Sequence, residues 1–330
     1  MLLSNIKMRK KIIFITGGIG MVGQALLKVL YKKYSLIILD RNSQLQRNKK
    51  IVEFYKKKGV IFLKGDILNY SLLKKNLNGV SFVVHLAAML GVSKTEKNPR
   101  KCLQVNYDGT KNVVKASAIN KIKKIIFASS SEVYGEQKLS RKITENNPLL
   151  GKNVYARSKI KSENFIKKFL KKKYTKFTIV RLFNTYGEGQ VAQFFIAKLC
   201  HFAKLNKTFV INGDGNQIRS YAYCSDIAEG INRCIDNKIS TNKIYNLGNS
   251  FEVFSLKKVV DLLTRIRKKK IKIKFSHNFK KGDRKKNREI FNRICDTKKA
   301  KKDLKYSTKI SLMMGLKKVI NQKKIHKNWA

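Results

Sequence analysis

The chain has 330 residues, enough for a sizeable core and for two domains, and its 43% apolar content excludes a disordered chain. Two prolines exclude collagen-like or proline-rich architecture. Seventy-four basic residues against 20 acidic give a net charge of +54, but 60 of the 74 are Lys, spread in short runs; weak, salt-sensitive sticking to polyanions is expected rather than a specific nucleic-acid partner.

The basic start, 1–11, meets a short apolar run that enters Gly17-Gly18 without a small-residue cleavage pattern, so a strand is expected there and not a secretory leader. Lys11–Thr16, Ser35–Asp40, Val60–Lys64, Phe82–Leu86 and Lys124–Ser129 read as buried strands. Between them, Met21–Tyr31 and Thr110–Asn120 carry helical periodicity. That alternation means βαβ units and a parallel sheet. A helix from about Ser158 to Lys172 precedes a sixth strand, Phe177–Leu182. After Asn184 the pattern is mixed: helix Val191–Ala203, strand Thr208–Ile211, a Gly213-Asp214-Gly215 loop, helix Ser225–Asp236 and strand Lys243–Leu247. Helix Ser255–Lys268, strand Ile271–Phe275, a basic loop Lys280–Arg293 and a closing helix Leu312–Gln322 follow. No stretch approaches 18 apolar residues, so no membrane span is expected. The five cysteines (Cys102, Cys200, Cys224, Cys234, Cys295) form no CxxC pair. Their spacing suggests reduced thiols in a cytoplasmic protein and no metal site.

Gly17-Gly18-Ile19-Gly20-Met21-Val22-Gly23 directly follows the first strand and opens a helix. It reads as GxGxxG from Gly18 and GxxGxxG from Gly17. Such glycines permit a tight turn and close approach of backbone to a pyrophosphate, which the helix N-terminus attracts. Asp40 ends the second strand, where a carboxylate accepts hydrogen bonds from an adenosine ribose. A 2′-phosphate would be repelled there, which favours NAD over NADP; the adjacent Arg41 works the other way. The expected fold class is therefore α/β: a Rossmann-type doubly wound parallel sheet with a smaller mixed α/β substrate-binding region at the C-terminal end. The expected division is 1–183 for dinucleotide and chemistry, and 184–330 mainly for substrate, with the chain crossing back around 222–250. Asp66-Ile67, ending strand three, reads as a contact to the adenine ring or as a plain turn. His85-Leu86-Ala87-Ala88 ends strand four. A lone His there is more often structural than a ligand, and the small Ala87 and Ala88 let a cofactor pass closely, beside Leu86.

Tyr155-Ala156-Arg157-Ser158-Lys159 has YxxxK spacing, which on a helix puts the ammonium on the phenol's side. A nearby ammonium and a positive nicotinamide would lower a phenol pKa of about 10 and make Tyr155 a base near neutrality. The alternative is two surface residues. The serine cluster Ser129-Ser130-Ser131, leading into Glu132-Val133-Tyr134-Gly135, adds weight, because it puts hydroxyls at the carboxyl edge of the sheet.

TGGxGxxG, HLAA, VNYDGT (105–110), SSSEVYG and YxxxK together resemble the extended short-chain dehydrogenase/reductase superfamily. Within it the chain is similar to the NAD-dependent nucleotide-sugar epimerases, dehydratases and decarboxylases. The resemblance covers most of the chain: Arg181–Gly187 resembles RxFNxYG, Arg219–Asp226 resembles RxFxYVxD, and Asp296–Ala300 resembles DxxKA. It implies Ser130 as the catalytic hydroxyl, Tyr155 as base, and Lys159 as its partner and ribose contact. It implies Gly17, Gly20, Met21, Val22, Gly23, Asp40, Asp66, Ile67, Leu86, Ala87 and Ala88 along NAD. For the substrate, a nucleotide-diphosphate sugar, it implies Ser131, Asn184, Arg219 and Arg293, with Arg288 a weaker candidate that is equally a solvated charge. Glu188 stands where Pro is frequent, and Asn153-Val154 where Ser-Pro is common, so loop shape departs from the pattern.

The implied shared step is oxidation to a 4-keto sugar. Glu132 then bears on the outcome, as a base in dehydratases, where it often follows Asp. Ser-Glu, as here, is also found in GDP-mannose-type dehydratases and UDP-glucuronate decarboxylases, whereas typical UDP-galactose 4-epimerases lack the Glu. Epimerase and 4,6-dehydratase outcomes both stay open, with decarboxylation as the alternative. A non-catalytic dinucleotide-binding regulator is the rival from another class, and the intact Ser130, Tyr155 and Lys159 argue against it. The resemblance also implies a homodimer through helices around Cys102–Asn120 and Tyr155–Lys172, and a place in polysaccharide or activated-sugar synthesis.

Overall fold

The computed structural model describes residues 10–137, 142–277, 289–323 and 325. The chain runs β1 (Ile12–Thr16), α1 (Met21–Leu30), β2 (Ser35–Asp40), α2 (Asn42–Arg47), α3 (Lys49–Lys56), β3 (Ile61–Lys64), α4 (Tyr70–Asn76), β4 (Phe82–His85), α5 (Val92–Lys97) and α6 (Pro99–Leu103). A π-helical turn (Gln104–Asp108) leads into α7 (Gly109–Ile119), β5 (Lys124–Ser130), α8 (Val154–Leu170) and β6 (Lys176–Leu182). Then come β7 (Thr185–Tyr186), α9 (Phe195–Lys204), β8 (Phe209–Asn212), β9 (Ile218–Ser220), β10 (Ala222–Tyr223), α10 (Cys224–Ile235) and β11 (Lys243–Leu247). The last elements are β12 (Val253–Ser255), α11 (Leu256–Arg267), β13 (Ile273–Ser276), β14 (Asn292–Arg293), α12 (Lys298–Leu304) and α13 (Leu312–Ile320).

Seven strands form one parallel sheet in the order β11-β6-β5-β4-β1-β2-β3. The winding direction reverses between β1 and β4, and a crevice opens at the carboxyl ends of those strands. Helices cover both faces. Ile13, Ile15, Ile126 and Val180 pack with α1 and α10, through Leu26, Leu27, Ile227 and Ile231. Phe14, Ile125, Phe127 and Ile179 point the other way, against Leu73 of α4, Val113 of α7 and Ile166 of α8. A strand covered on both sides has no polar face, which is why Ile12-Ile13-Phe14-Ile15 is continuously apolar. Each such side chain contributes about 1.5–3 kcal/mol by leaving water. The doubly wound parallel sheet is the expected one, and smaller sheets lie in the second half of the chain.

Two local differences matter for the site. Helix α8 starts at Val154, a turn earlier than the sequence predicts, because the Asn153 side chain caps it by accepting from the Ala156 N–H at 2.7 Å. Tyr155 therefore sits in the first turn. The sequence reads 280–293 as a loop; 280–288 lie outside the described residues, while Asn292–Arg293 form β14, parallel to β9. A two-residue strand in a basic stretch carries no periodicity to reveal it.

Candidate active site

The crevice is a cavity of about 420 Å³ that runs from the glycine turn after β1, past the ends of β5 and β6, to β8, β9 and β14. At the glycine end, Gly17 has φ +69°, and a Cβ there would stand 2.7 Å from the Ala87 backbone nitrogen. A Cβ on Gly23 would stand 2.4 Å from the Gly18 carbonyl oxygen. Only glycine lets the turn and α1 approach this closely. Helix α1 begins after Gly20 with no side-chain cap, so its N-terminal dipole is left for a ligand. Gly17, Gly20, Met21, Val22 and Gly23 line the cavity, as do Leu86 and Ala88. The buried Asp40 carboxylate accepts from the N–H groups of Ile19 (3.0 Å) and Arg41 (2.9 Å). Burial raises its pKa, and those two bonds oppose the shift.

Asp66 and Ile67 sit outside the cavity wall. Asp66 accepts from the Leu68 N–H at 2.9 Å, and Ile67 packs beneath Gly109. His85 is structural: Nδ1 meets Thr16 Oγ1 at 2.7 Å and Nε2 meets Thr110 Oγ1 at 3.0 Å. Burial, with help from the Lys159 charge, pushes it down to about 3, so the ring is neutral.

At the centre, Ser130 ends β5 and accepts from the Glu132 N–H at 3.2 Å. Ser130 and Tyr155 line the same cavity. Lys159 Nζ donates to the Ala128 carbonyl at 2.7 Å and lies 5.9 Å from the centre of the Tyr155 ring. Sequence reasoning expects a phenol made more acidic by this lysine together with a positive nicotinamide. In the structure burial dominates and holds the phenol well above its usual range, while Ser130 works against burial. Burial also lowers Lys159 to about 8, opposed by Cys102 and Glu163.

Behind these groups lies a buried network that the sequence reading missed. Glu163 accepts from Ser129 Oγ (2.5 Å) and from Arg181 Nε (3.0 Å) and Nη2 (2.6 Å). Arg181 also donates to the Tyr134 hydroxyl, which donates to Asn246 Oδ1. The network joins β5, α8, β6 and β11. Two signals were present: Arg181 interrupts an apolar strand, and Tyr155, Lys159 and Glu163 follow one another at i, i+4 and i+8. Asn106 was missed as well. It exchanges hydrogen bonds with the Met89 backbone and donates to Ser158 Oγ at 3.1 Å, which ties the loop after β4 to α8.

At the far end, Ser131 and Glu132 are buried. Glu132 accepts from Asn153 Nδ2 at 2.8 Å and pairs with Arg293 Nη2 at 2.6 Å. Arg293 Nη1 reaches Asn184 Oδ1 at 3.4 Å, and Asn184 takes a left-handed φ of +28°. Arg219 donates to the carbonyls of Ile218 and Phe291 and to Glu289 Oε1 at 2.8 Å. Ser130, Ser131, Glu132, Tyr155, Lys159, Asn184, Arg219 and Arg293 thus all line one cavity with the glycine turn. Arg288 lies outside the described residues.

The sequence model of the NAD dependent epimerase/dehydratase family matches residues 13–248. The chain belongs to this family. It is 32% identical over 335 residues to the UDP-N-acetyl-alpha-D-glucosaminuronate decarboxylase of Bacillus cytotoxicus, covering 94% of this chain and 97% of that protein. To the UDP-glucuronate 4-epimerase of Thermodesulfobacterium geofontis it is 28% identical over 319 residues, covering 94% and 95%. Among solved structures, the UDP-glucuronic acid 4-epimerase from Bacillus cereus, in complex with UDP-glucuronic acid and NAD, is similar with a TM-score of 0.85 and 25% identity, covering 94% of this chain and 98% of that one.

As in other members of the epimerase/dehydratase family, the cofactor is NAD. The residues present fit it: the glycine cradle is space that a Cβ would fill, and it faces the uncapped start of α1 with Asp40 beside it. Among the described residues no helix is long and apolar enough to cross a membrane.

Proposed function

We propose that this member of the epimerase/dehydratase family is a nucleotide-sugar 4-epimerase that works through a transient 4-keto sugar. The observation that carries the reading is that Ser130, Tyr155 and Lys159 line one cleft with the glycine cradle at one end and Arg219 and Arg293 at the other. Tyr155 takes the proton from the sugar's C4 hydroxyl, and Ser130 hydrogen-bonds the same oxygen. A phenol held up by burial needs a neighbouring positive charge to give up its proton near neutrality. On this chain Lys159 supplies it, one helical turn away. NAD⁺ supplies the hydride acceptor. Gly17, Gly20, Met21, Val22 and Gly23 cradle its pyrophosphate, Asp40 takes the adenosine ribose, and Leu86, Ala87 and Ala88 border its path. Asp66 and Ile67 lie toward the adenine side, and Lys159 holds the nicotinamide ribose.

The outcome follows from Ser131 and Glu132. Elimination of water needs a base for the C5 proton and an acid for the departing hydroxyl. Ser131 is no carboxylic acid, and Glu132 is held between Asn153 and Arg293. That arrangement favours return of the hydride to the other face of the ring over dehydration. Decarboxylation of a uronate is the second reading. It is favoured by the Arg293 cation at the sugar end and by the likeness to a decarboxylase.

In this reading residues 1–183 hold NAD and the chemistry, and 184–330 mainly hold the nucleotide sugar through Asn184, Arg219 and Arg293, with Ser131 opposite. We also propose a homodimer through the helices around Cys102–Asn120 and Tyr155–Lys172, where Phe165 and Phe169 stack and Tyr107 stands edge-on. A dimer mass in light scattering supports it, and a monomer mass refutes it. The functional test is incubation of the purified protein with NAD⁺ and UDP-, dTDP-, GDP- and CDP-sugars. A new isomer of unchanged mass supports the epimerase, and loss of water overturns it.

A further inference from the structure

The buried network behind the cleft meets the reactive end of the sheet at one junction. Ser129 and Arg181 are register partners in β5 and β6. Side chains alternate along a strand, so Ser129 follows Ile125 and Phe127 onto the face that α8 covers. There Glu163 of α8 accepts from both, at 2.5 Å from Ser129 Oγ and at 3.0 and 2.6 Å from Arg181. One turn earlier on α8, Lys159 Nζ donates to the carbonyl of Ala128, the residue before Ser129. Tyr155, a further turn earlier, lines the cleft with Ser130, the residue after it. Three successive residues of β5 are thus matched to three successive turns of α8.

Stability alone does not call for this junction. Glu163, Arg181 and Ser129 are all buried, and apolar side chains of similar volume often fill such a site with equal or better stability. What a fully hydrogen-bonded ion pair adds there is fixed geometry. A carboxylate bonded to both strands restricts sliding of α8 along β5. Its charge also reaches Lys159. That ammonium faces Tyr155 and Glu163 on its own helix, Cys102 of α6, His85 of β4 and the Phe127 ring of β5. Burial keeps the Cys102 thiol and the His85 ring neutral. While Tyr155 is protonated, Glu163 is therefore the anion among these groups.

We infer that Glu163 is a positioning residue for Ser130, Tyr155 and Lys159, acting through Ser129 on the end of β5 and through its charge on Lys159. The inference rests on the roles proposed above for those three groups and adds the residue that spaces them. Displacing a reacting group by about 1 Å costs about 100-fold in rate, so a loosened junction shows in kcat before it shows in binding.

Two variants separate position from charge. Ser129→Ala cuts the link to β5 and leaves the Arg181–Glu163 pair, whereas Glu163→Gln removes the charge. Both are assayed with NAD⁺ and the sugar nucleotide that the wild type turns over, and their melting temperatures are recorded. In Ser129→Ala, kcat should fall about ten- to hundred-fold while KM and NAD affinity stay within about twofold. Its pH profile should keep the wild-type alkaline limb, because the carboxylate still favours the Lys159 ammonium. In Glu163→Gln that limb should move to lower pH, since loss of an anion makes the ammonium easier to deprotonate. A Ser129→Ala protein that melts lower yet keeps the wild-type kcat would overturn the positioning role and leave a structural one. An alkaline limb that stays in place in Glu163→Gln would overturn the action on Lys159. Where Glu163→Gln does not fold, Ser129→Ala, which keeps the ion pair, decides the matter. A wild type that turns over no sugar nucleotide would overturn the nucleotide-sugar reading, and the inference with it.

Discussion

Glu132 and Arg293 meet inside the cleft at 2.6 Å, with side chains only 8% and 6% exposed. One comes from the turn after β5 and the other from β14. Asn153, which caps α8, holds the second carboxylate oxygen. The pair therefore links the helix that carries Tyr155 and Lys159 to the far end of the cleft. Removing one partner of a buried pair leaves an unanswered charge, at a cost of about 3–5 kcal/mol. Glu132→Gln should lower the unfolding free energy by about 3 kcal/mol in urea denaturation. The double variant Glu132→Gln/Arg293→Met should recover much of that loss. A single variant as stable as wild type would mean that the pair contributes nothing.

Tyr155→Phe removes the proposed base and leaves the ring. General acid–base groups supply about 10²–10⁴-fold in rate, so turnover should fall by about that much. NAD affinity, read by fluorescence titration, should stay within about twofold, because the glycine cradle is untouched. Unchanged turnover would remove Tyr155 from its role, and a protein that binds NAD but never turns over any sugar would be a regulator.

Arg181 and Glu163 form a second buried pair, 3% and 0% exposed, that also holds Ser129. Glu163→Gln should destabilise the fold by about 3 kcal/mol. Glu53→Gln, in an exposed pair with Lys49, should change stability little. Equal effects of the two substitutions in denaturant would contradict the burial argument.

Gly17→Ala tests the cradle. The position needs φ +69°, and the new methyl would strike the Ala87 backbone. Backbone strain of this kind costs about 1–3 kcal/mol. The melting temperature should fall and NAD binding should weaken at least about tenfold. Gly59→Ala also has positive φ but opens onto free space. It should lower stability without touching NAD affinity.

His85 sets a pH dependence. Its folded pKa of about 3 lies below the ordinary 6.5, so between those values the unfolded chain binds a proton that the folded chain does not. Stability therefore rises with pH across this window. The contribution is fully present above 6.5 and is lost as pH falls toward 3, at about 1.4 kcal/mol per pH unit. In His85→Gln, urea midpoints between pH 6.5 and 4.5 should vary less steeply than in wild type. An unchanged slope would mean that other groups govern acid unfolding.

Much of the fold was legible because the parallel strands, covered on both sides, are written as apolar runs such as Ile12–Ile15 and Ile125–Phe127. The glycine turn and the Tyr155/Lys159 spacing were legible because their geometry is local: one turn, one helix face. What sequence hid is tertiary. Nothing local shows that Arg293, in a polar stretch, forms a two-residue strand opposite Arg219. Nothing local pairs Glu163 with Arg181 or leaves the Tyr221 hydroxyl without a partner. The burial that holds the Tyr155 phenol up was hidden for the same reason: how far water is excluded depends on the whole cleft.

The most direct test follows the hydrogen at C4. UDP-glucose and UDP-glucuronic acid deuterated at C4 are incubated with the protein and NAD⁺, and the products are separated and weighed by mass spectrometry. The account predicts a new isomer of unchanged mass from one of them, with the deuterium still at C4, because the hydride leaves and returns within one active site. An isomer that has lost the C4 deuterium to solvent, or a product lighter by water, would contradict it.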